Sequence, residues 1–176
     1  PAASSSSQFA YAFAMPAPPA IAEHKFQDYP HFGVWQSAYF MMAHAFGGTV
    51  QGGIFAAMDR TKMLAGDASA TWQVIVDPEE GGHMPGDLDG FAPPPFSAPG
   101  VFLSLHEEGM FVYRMKGNSP APSQTARTLQ AVVPTAPANA ACGGGGCIPQ
   151  PGTGVRVDSL ADRLMFRAAY RNFVDH

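Results

Sequence analysis

Residues 28–46 read DYPHFGVWQSAYFMMAHAF, and this stretch carries the strongest structural signal in the chain. Pro30 fixes its own φ and keeps the residue before it out of the helical region, so the stretch begins extended. The pair at 36–37 is a predicted turn. Residues 39–46 that follow are almost all apolar, with no polar face. They therefore predict a strand that is buried on both sides.

Length and composition indicate one domain, or part of a larger one, that is rich in turns and covered loops. The chain has 176 residues, of which 14% are charged, with 19 glycines and 17 prolines. The formal net charge of −4 argues against a general binder of nucleic acid or anionic membranes. The longest apolar run is shorter than 18 residues, so no membrane span is expected. No signal peptide is visible after Pro1, and any such segment is expected to have been removed.

Two regions differ in composition. Residues 1–25 are rich in Ala, Ser and Pro and predict a flexible N-terminal segment, although Phe9, Tyr11 and Phe13 would allow it to dock on a neighbouring surface. Residues 26–176, with short strands and Pro/Gly-rich loops, predict a β-propeller-like domain or part of one. A turn of helix is expected near 59–66, with Asp59 as its N-cap and Gly66 as its end.

The predicted strands fall into sets of four. The first set lies near 32–34, 38–46, 50–59 and 71–76, and the second near 84–88, 101–105, 110–115 and 128–133. The run at 163–173 is expected to begin a third set. Repeated four-stranded antiparallel units, apolar on both faces, are typical of β-propeller blades. The predicted fold is therefore all-β, built from propeller blades.

The two cysteines, Cys142 and Cys147, flank four glycines. This spacing predicts a small loop disulfide and an oxidising, extracellular compartment. A zinc site would need two further ligands, and the closest histidines in sequence are His106 and His176. No metal site is expected here.

Several motifs in order resemble a family of large, mostly uncharacterised secreted bacterial proteins, whose central region is thought to be a sialidase-like β-propeller. The resemblance spans residues 27–176. It rests on the motifs DYPxxGVW at 28–35, AYFM at 38–41, FAAMDRxKMLAG at 55–66, PGDLDG at 85–90 with PPP at 93–95, CIPQPGT at 147–153 and DRLMFRxxYRNFxDH at 162–176.

The resemblance implies a secreted, sialidase-like propeller, but no activity. Family members continue past the equivalent of His176, and residues 107–134 are shorter than the family pattern. This chain is therefore expected to form an incomplete propeller of two to three blades. Open blade faces and strand edges would then need cover from another protein chain, from further copies of this one or from a lost C-terminal region.

Glycosidases on related propellers use two carboxyl groups about 5–10 Å apart. Asp28, Asp87 and Asp89 are the candidate catalytic residues, and Asp59, Glu107 and Glu108 are further carboxylates that could contribute. Each has a structural interpretation as a turn, cap or exposed hairpin residue. Calcium at Asp87 and Asp89 is the only cofactor considered, and two carboxylates in one turn are few ligands for it.

Aromatic residues are the candidate binding residues. Phe91 and Phe96 lie in a Pro-rich loop and are expected near a surface or a partner, where they could contact a protein or stack on a glycan. Trp35 is a candidate as well, although packing between blades is its simpler interpretation. His31 and His83 would meet Asp87 only through folding.

The sequence thus favours a secreted structural or interaction module that associates with other chains through blade faces and Pro/Gly-rich loops. A carbohydrate-active, glycoside hydrolase-like propeller fragment is the alternative. Whether the chain is an enzyme stays open, with the non-enzymatic role favoured. The positions of the carboxylates distinguish the two hypotheses, because an enzyme needs two carboxylates in one concave site.

Overall fold

A computed structural model describes residues 8–14, 26–46, 52–77, 82–106, 109–116, 128–130, 146–157 and 164–173. Strands dominate these residues, which confirms the all-β prediction. The elements in chain order are β1 (Phe26–Val34), β2 (Ala38–Phe46), β3 (Gly52–Asp59), α1 (Arg60–Ala65), β4 (Trp72–Asp77), β5 (Met84–Leu88), β6 (Gly100–His106), β7 (Gly109–Met115), β8 (Thr128–Gln130), β9 (Ile148–Pro149), β10 (Arg156–Val157) and β11 (Ala168–Tyr170).

The first sheet is an antiparallel meander in the order β1-β2-β3-β4. The predicted turn at 36–37 is confirmed, since the Trp35 N–H donates to the Ala38 carbonyl at 2.9 Å. Near its start β1 shifts register between Asp28 and His31. There Tyr29 has a φ of 55°, and its N–H donates to the Asp28 carboxylate at 2.7 Å. This irregularity breaks the outer edge of β1.

The helical turn α1 connects β3 to β4 as predicted. Asp59 accepts a hydrogen bond from the Lys62 N–H at 3.1 Å and thereby caps the first turn. Gly66 ends the helix with a φ of 71°, a left-handed conformation that suits glycine. The local sequence fixes both ends of this element.

The second sheet has the order β11-β5-β6-β7-β8. Strands β5 to β8 pair antiparallel, as the second predicted set of four requires. The prediction that residues 163–173 begin a third blade is wrong, because β11 joins the second sheet in parallel beside β5. Arg167, just before β11, also forms an ion pair with Asp87 on β5.

The two sheets pack face to face around one apolar core. Aromatic rings interlock across the interface: the Phe40 and Phe55 rings of the first sheet each lie within 5.3 Å of the Phe102 ring of the second. The core also contains Trp35, Ala38, Met42, Ala57, Phe111, Tyr113 and Met115. The side of the first sheet that faces away from this core is apolar too, with buried Met41, Ala56 and Met58.

The sheets approach most closely where β1 meets β5. A Cβ atom added to Gly33 would lie 2.4 Å from the Gly86 carbonyl oxygen, so a larger residue would clash with backbone. Glycine is required here because the two backbones nearly touch. The loop from Asp89 to Pro99 starts at this junction.

Residues 8–14 lie on the first sheet, on the side away from the core. The Phe13 ring stacks on Trp72 with 5.3 Å between ring centroids, and the Tyr11 hydroxyl donates to the carbonyls of Lys62 and Met63 at 3.3 Å. This segment of the N-terminal region docks, as its aromatic residues allowed. The rest of residues 1–25 lies outside the described residues.

Strands β9 and β10 form a small separate hairpin near the C-terminal part of the chain. The Cys147 N–H donates to the Val157 carbonyl at 3.0 Å beside it. Cys142, the other half of the predicted disulfide, lies outside the described residues. The Cys142–Cys147 pairing therefore stays a prediction.

Candidate functional site

The loop of residues 89–99 and the C-terminal segment 164–173 lie side by side. The Asp89 N–H donates to the Tyr170 carbonyl at 2.8 Å, and the Asn172 side-chain amide donates to the Pro93 carbonyl at 3.3 Å. Gly90 faces the Arg171 side chain. Two segments about 80 residues apart in the sequence thus form one surface, which is here called the paired segments.

Trp35 holds the paired segments to the core. Its ring N–H donates to the Ala98 carbonyl at 3.0 Å, and its ring lies 4.8 Å from the Tyr170 ring in an edge-on arrangement. The side chain is 1% exposed. The structure therefore places Trp35 in the core, as packing between blades would require, and not on a binding surface.

An ionic junction underlies the same surface. Asp87 accepts a hydrogen bond from the Val34 N–H at 2.9 Å through one oxygen and from Arg167 at 2.6 Å through the other. Asp89 lies 3.7 Å from the same guanidinium. Charge-assisted hydrogen bonds are the stronger class, and these join β1, β5 and the residue before β11. Asp87 thus links β1 and the segment before β11 to β5 through its two carboxylate oxygens.

Four exposed aromatic side chains lie on the paired segments. Phe91 is fully exposed, Phe166 and Phe173 are 80% and 77% exposed, and Phe96 is 48% exposed. These four residues are here called the aromatic loop surface. The Arg171 guanidinium lies 6.0 Å from the centre of the Phe173 ring. Aromatic residues and arginine are enriched where proteins bind partners, so this combination is suited to recognition.

The candidate carboxylates do not converge on one concave site. Asp28 lies near the start of β1, whereas Asp87 contacts Val34 at its end, a separation of about 20 Å along the strand. This exceeds the spacing that glycosidases require. Asp87 and Asp89 are close together, but Arg167 bridges them. Their arrangement serves the junction between the sheets.

Arg167 also bears on the calcium prediction. Its single positive charge offsets part of the negative charge of the two carboxylates that calcium would need. Among the residues that the structure describes, no group of three or more His, Cys, Asp or Glu side chains could hold a metal ion. Calcium at Asp87 and Asp89 stays a prediction. In the same part of the chain, none of the helices has the length and hydropathy to span a bilayer.

A second polar cluster lies buried between the sheets. The His83 Nε2 and Ser104 Oγ atoms are 3.0 Å apart, and both residues are buried. The Tyr113 ring lies edge-on to His83 at 4.6 Å, and its hydroxyl donates to the Asp77 carboxylate. Since a substrate cannot reach a serine–histidine pair in the core, this cluster satisfies buried polar groups. His83 precedes β5, so it lies about 13 Å from Asp87 along that strand, and the two are not brought together.

His31 lies on β1 beside the irregular Tyr29, whose ring is 4.2 Å from its own in an edge-on arrangement. Its Nε2 atom is buried and makes no hydrogen bond to any described residue. Burial therefore lowers the pKa of His31 below its ordinary value of 6.5, because desolvation disfavours the protonated ring.

Sequence reasoning found Asp87, Asp89, Phe91 and Phe96 but missed Arg167, Phe166 and Phe173. The signal was present, since RLMFRAAYRNF at 163–173 alternates basic and aromatic residues. The sequence alone predicts a strand here but does not pair it with β5. Comparison of the chain with protein-family models, with curated proteins and with solved structures finds no match.

Proposed function

We propose that this chain is a secreted structural or interaction module that binds another protein through the aromatic loop surface. The observation that carries the proposal is the exposure of Phe91, Phe96, Phe166 and Phe173 on two segments that are fixed to each other. Large exposed apolar groups that cluster on an ordered surface mark interaction sites. A secreted location rests on the Cys142 and Cys147 pair in the sequence.

The ordering of this surface supports recognition over accidental exposure. Trp35 and the Asp87–Arg167 ion pair hold both segments before any partner arrives. A partner therefore meets rings whose backbone is already fixed, which lowers the entropy cost of association. Arg171 adds a cation beside Phe173 that can meet an acidic or aromatic group of the partner.

We propose also that the two sheets are blades of an incomplete, sialidase-like propeller. Three features support this: each sheet contains a four-stranded meander in chain order, the first sheet is apolar on both sides, and the first strands of the two sheets lie closest. Blades converge in this way towards a propeller axis. Open blade faces would then be a second place for other chains to associate.

The carbohydrate-active alternative has weaker support. Its catalytic pair would need two of Asp28, Asp87 and Asp89 in one site, and the distance of about 20 Å along β1 together with the Arg167 bridge disfavour this. Exposed phenylalanine rings could still stack on a glycan without catalysis. Glycan binding is therefore an outcome that the experiment has to separate from protein binding.

Site-specific photo-cross-linking tests the proposal. A photoreactive phenylalanine analogue replaces Phe91 or Phe166 in the full chain, and in a control it replaces Leu64, which is 56% exposed on α1. The expected result in the native extracellular medium is a discrete protein adduct at 91 and 166 that is absent at 64. Equal labelling at all three positions, or no protein adduct, would overturn the proposal. A glycan array on the same proteins distinguishes the alternative, since glycan binding lost in Phe91→Ala would favour it.

A further inference from the structure

The two edges of the first sheet differ in how their backbone groups are used. The Asp59 N–H donates to the Thr71 carbonyl at 2.9 Å. This bond identifies which opposite residue pairs of β3 and β4 are hydrogen-bonded and which are not. In an antiparallel ladder every second pair is hydrogen-bonded, so Gln73, Ile75 and Asp77 direct their backbone groups to β3. The backbone groups of the other β4 residues point to the outer edge: Trp72, Val74 and Val76.

The outer edge of β1 carries protective devices. The register shift near Tyr29 interrupts it, and the outward N–H of Val34 donates to Asp87. Bulges and covering contacts are among the means by which proteins prevent edge strands from pairing, as are lysine and proline on the edge. β1 is therefore closed to a further strand.

Within the part of the chain that the structure describes, the outer edge of β4 has neither a register shift nor a side-chain cap. Its sequence WQVIVD has neither lysine nor proline, and it pairs with β3 in unbroken register over all six residues. Among the described residues, no strand pairs with its outer side. A regular, β-branched edge strand of this kind is a template for another strand.

We propose that β4 is a pairing edge between two copies of this chain, in which two β4 strands join antiparallel around a two-fold axis at Val74. In this register Val74 lies opposite Val74 of the second copy, and Trp72 lies opposite Val76. All three outward residues then meet outward residues, which yields about six new backbone hydrogen bonds. The two first sheets become one continuous eight-stranded sheet.

Side chains and charges fit this register. On one face the apolar Val74 and Val76 meet Val74 and Trp72 of the second copy, and such cross-strand pairs stabilise a sheet. On the other face Gln73 lies opposite Ile75, and Asp77 lies opposite Thr71. The only charged residue of β4 is thus kept away from its own copy, so the strand is self-complementary.

This pairing is distinct from the proposed protein-binding surface. β1 and β4 are opposite edges of the sheet, separated by three strand spacings or about 14 Å. The aromatic loop surface adjoins β1 through Asp87 and Val34. Self-association at β4 therefore leaves that surface available, and either proposal can fail without the other.

Proline substitution tests the edge. Val74→Pro removes an N–H that points outward, which leaves the bonds to β3 intact, and Val74→Ala is the control that keeps the N–H. Sedimentation velocity over a range of concentrations should give wild-type dimers of twice 18.6 kDa. Val74→Pro should raise the dimer dissociation constant at least about thirtyfold, through loss of two hydrogen bonds, and Val74→Ala by less than about fivefold. A monomeric wild type, or a dimer that Val74→Pro leaves intact, would overturn the proposal.

Charge variants at position 74 test the same pairing independently, so the test does not depend on whether the proline variant folds. Val74→Lys and Val74→Glu each place like charges opposite each other at the two-fold axis, so each alone should be monomeric. An equimolar mixture should regain the dimer, because Lys and Glu then face each other. A mixture that stays monomeric while both variants retain the wild-type circular dichroism spectrum would contradict pairing at Val74.

Discussion

The Val34 N–H donates a 2.9 Å hydrogen bond to the Asp87 carboxylate, and so joins the edge of one sheet to a strand of the other. The same carboxylate binds Arg167. Asp87→Ala should lower the free energy of unfolding by about 2 kcal/mol, because a hydrogen bond to a charged group is lost. Urea denaturation measures this change.

Asp89→Ala is the matched control for Asp87. Its carboxylate is about half exposed and lies 3.7 Å from the guanidinium, farther than that of Asp87. Its loss should therefore lower the free energy of unfolding by less than about 1 kcal/mol. If the two variants were equally stable, Asp87 would not be the tie that joins the sheets.

Gly33→Ala should push the two sheets apart. The added Cβ would lie 2.4 Å from the Gly86 carbonyl oxygen, and backbone atoms cannot yield as a flexible side chain can. We expect a loss of about 1 to 3 kcal/mol in the free energy of unfolding. Gly154→Ala, with no atom within 4 Å of the new Cβ, should change it by less than about 0.5 kcal/mol. Thermal denaturation of both variants decides whether this junction is tight.

His31 should contribute to the loss of stability in mild acid. Burial lowers its pKa in the folded chain, so between that pKa and 6.5 the unfolded chain binds more protons. The free energy of unfolding therefore rises with pH through this window. His31→Gln should flatten the pH dependence there, as measured by urea denaturation at a series of pH values. An unchanged slope, or a folded-state pKa at or above 6.5 by NMR titration, would contradict this.

Phe13→Ala should release the docked N-terminal segment. Loss of the stack on Trp72 removes about 1 kcal/mol, which predicts about fivefold faster cleavage by chymotrypsin after Tyr11. Phe166→Ala changes an exposed ring elsewhere and should leave that cleavage rate unchanged. Equal rates in both variants would mean that Phe13 does not hold the segment.

Local features of this fold were predictable, whereas long-range pairings were not. Asp59 and Gly66 mark the ends of α1 because capping depends on neighbouring residues alone. The apolar run predicts β2, and the turn before it is also predictable from neighbouring residues. The parallel pairing of β11 with β5 joins residues about 80 positions apart, as does the ion pair beside it, and no periodicity encodes such a partner.

The candidate site divides in the same way. Phe91 and Phe96 were expected at a surface because prolines surround them, and they are exposed. Phe166 and Phe173 belong to the same surface only because the Asn172 amide and the Asp89 N–H bring the two segments together. Trp35 could not be placed from its own neighbours, since its hydrogen-bond partner Ala98 lies in a loop without regular structure.

The chain carries two tryptophans, and the fold gives them separate surroundings. Trp35 is enclosed at the junction of the sheets, while Trp72 lies under Phe13 on the opposite side of the first sheet. Each indole is therefore an intrinsic fluorophore for a different event. A protein that retains only Trp35 would report on separation of the sheets by its emission maximum. One that retains only Trp72 would report on detachment of residues 8–14, so the two processes can be timed independently without an added dye.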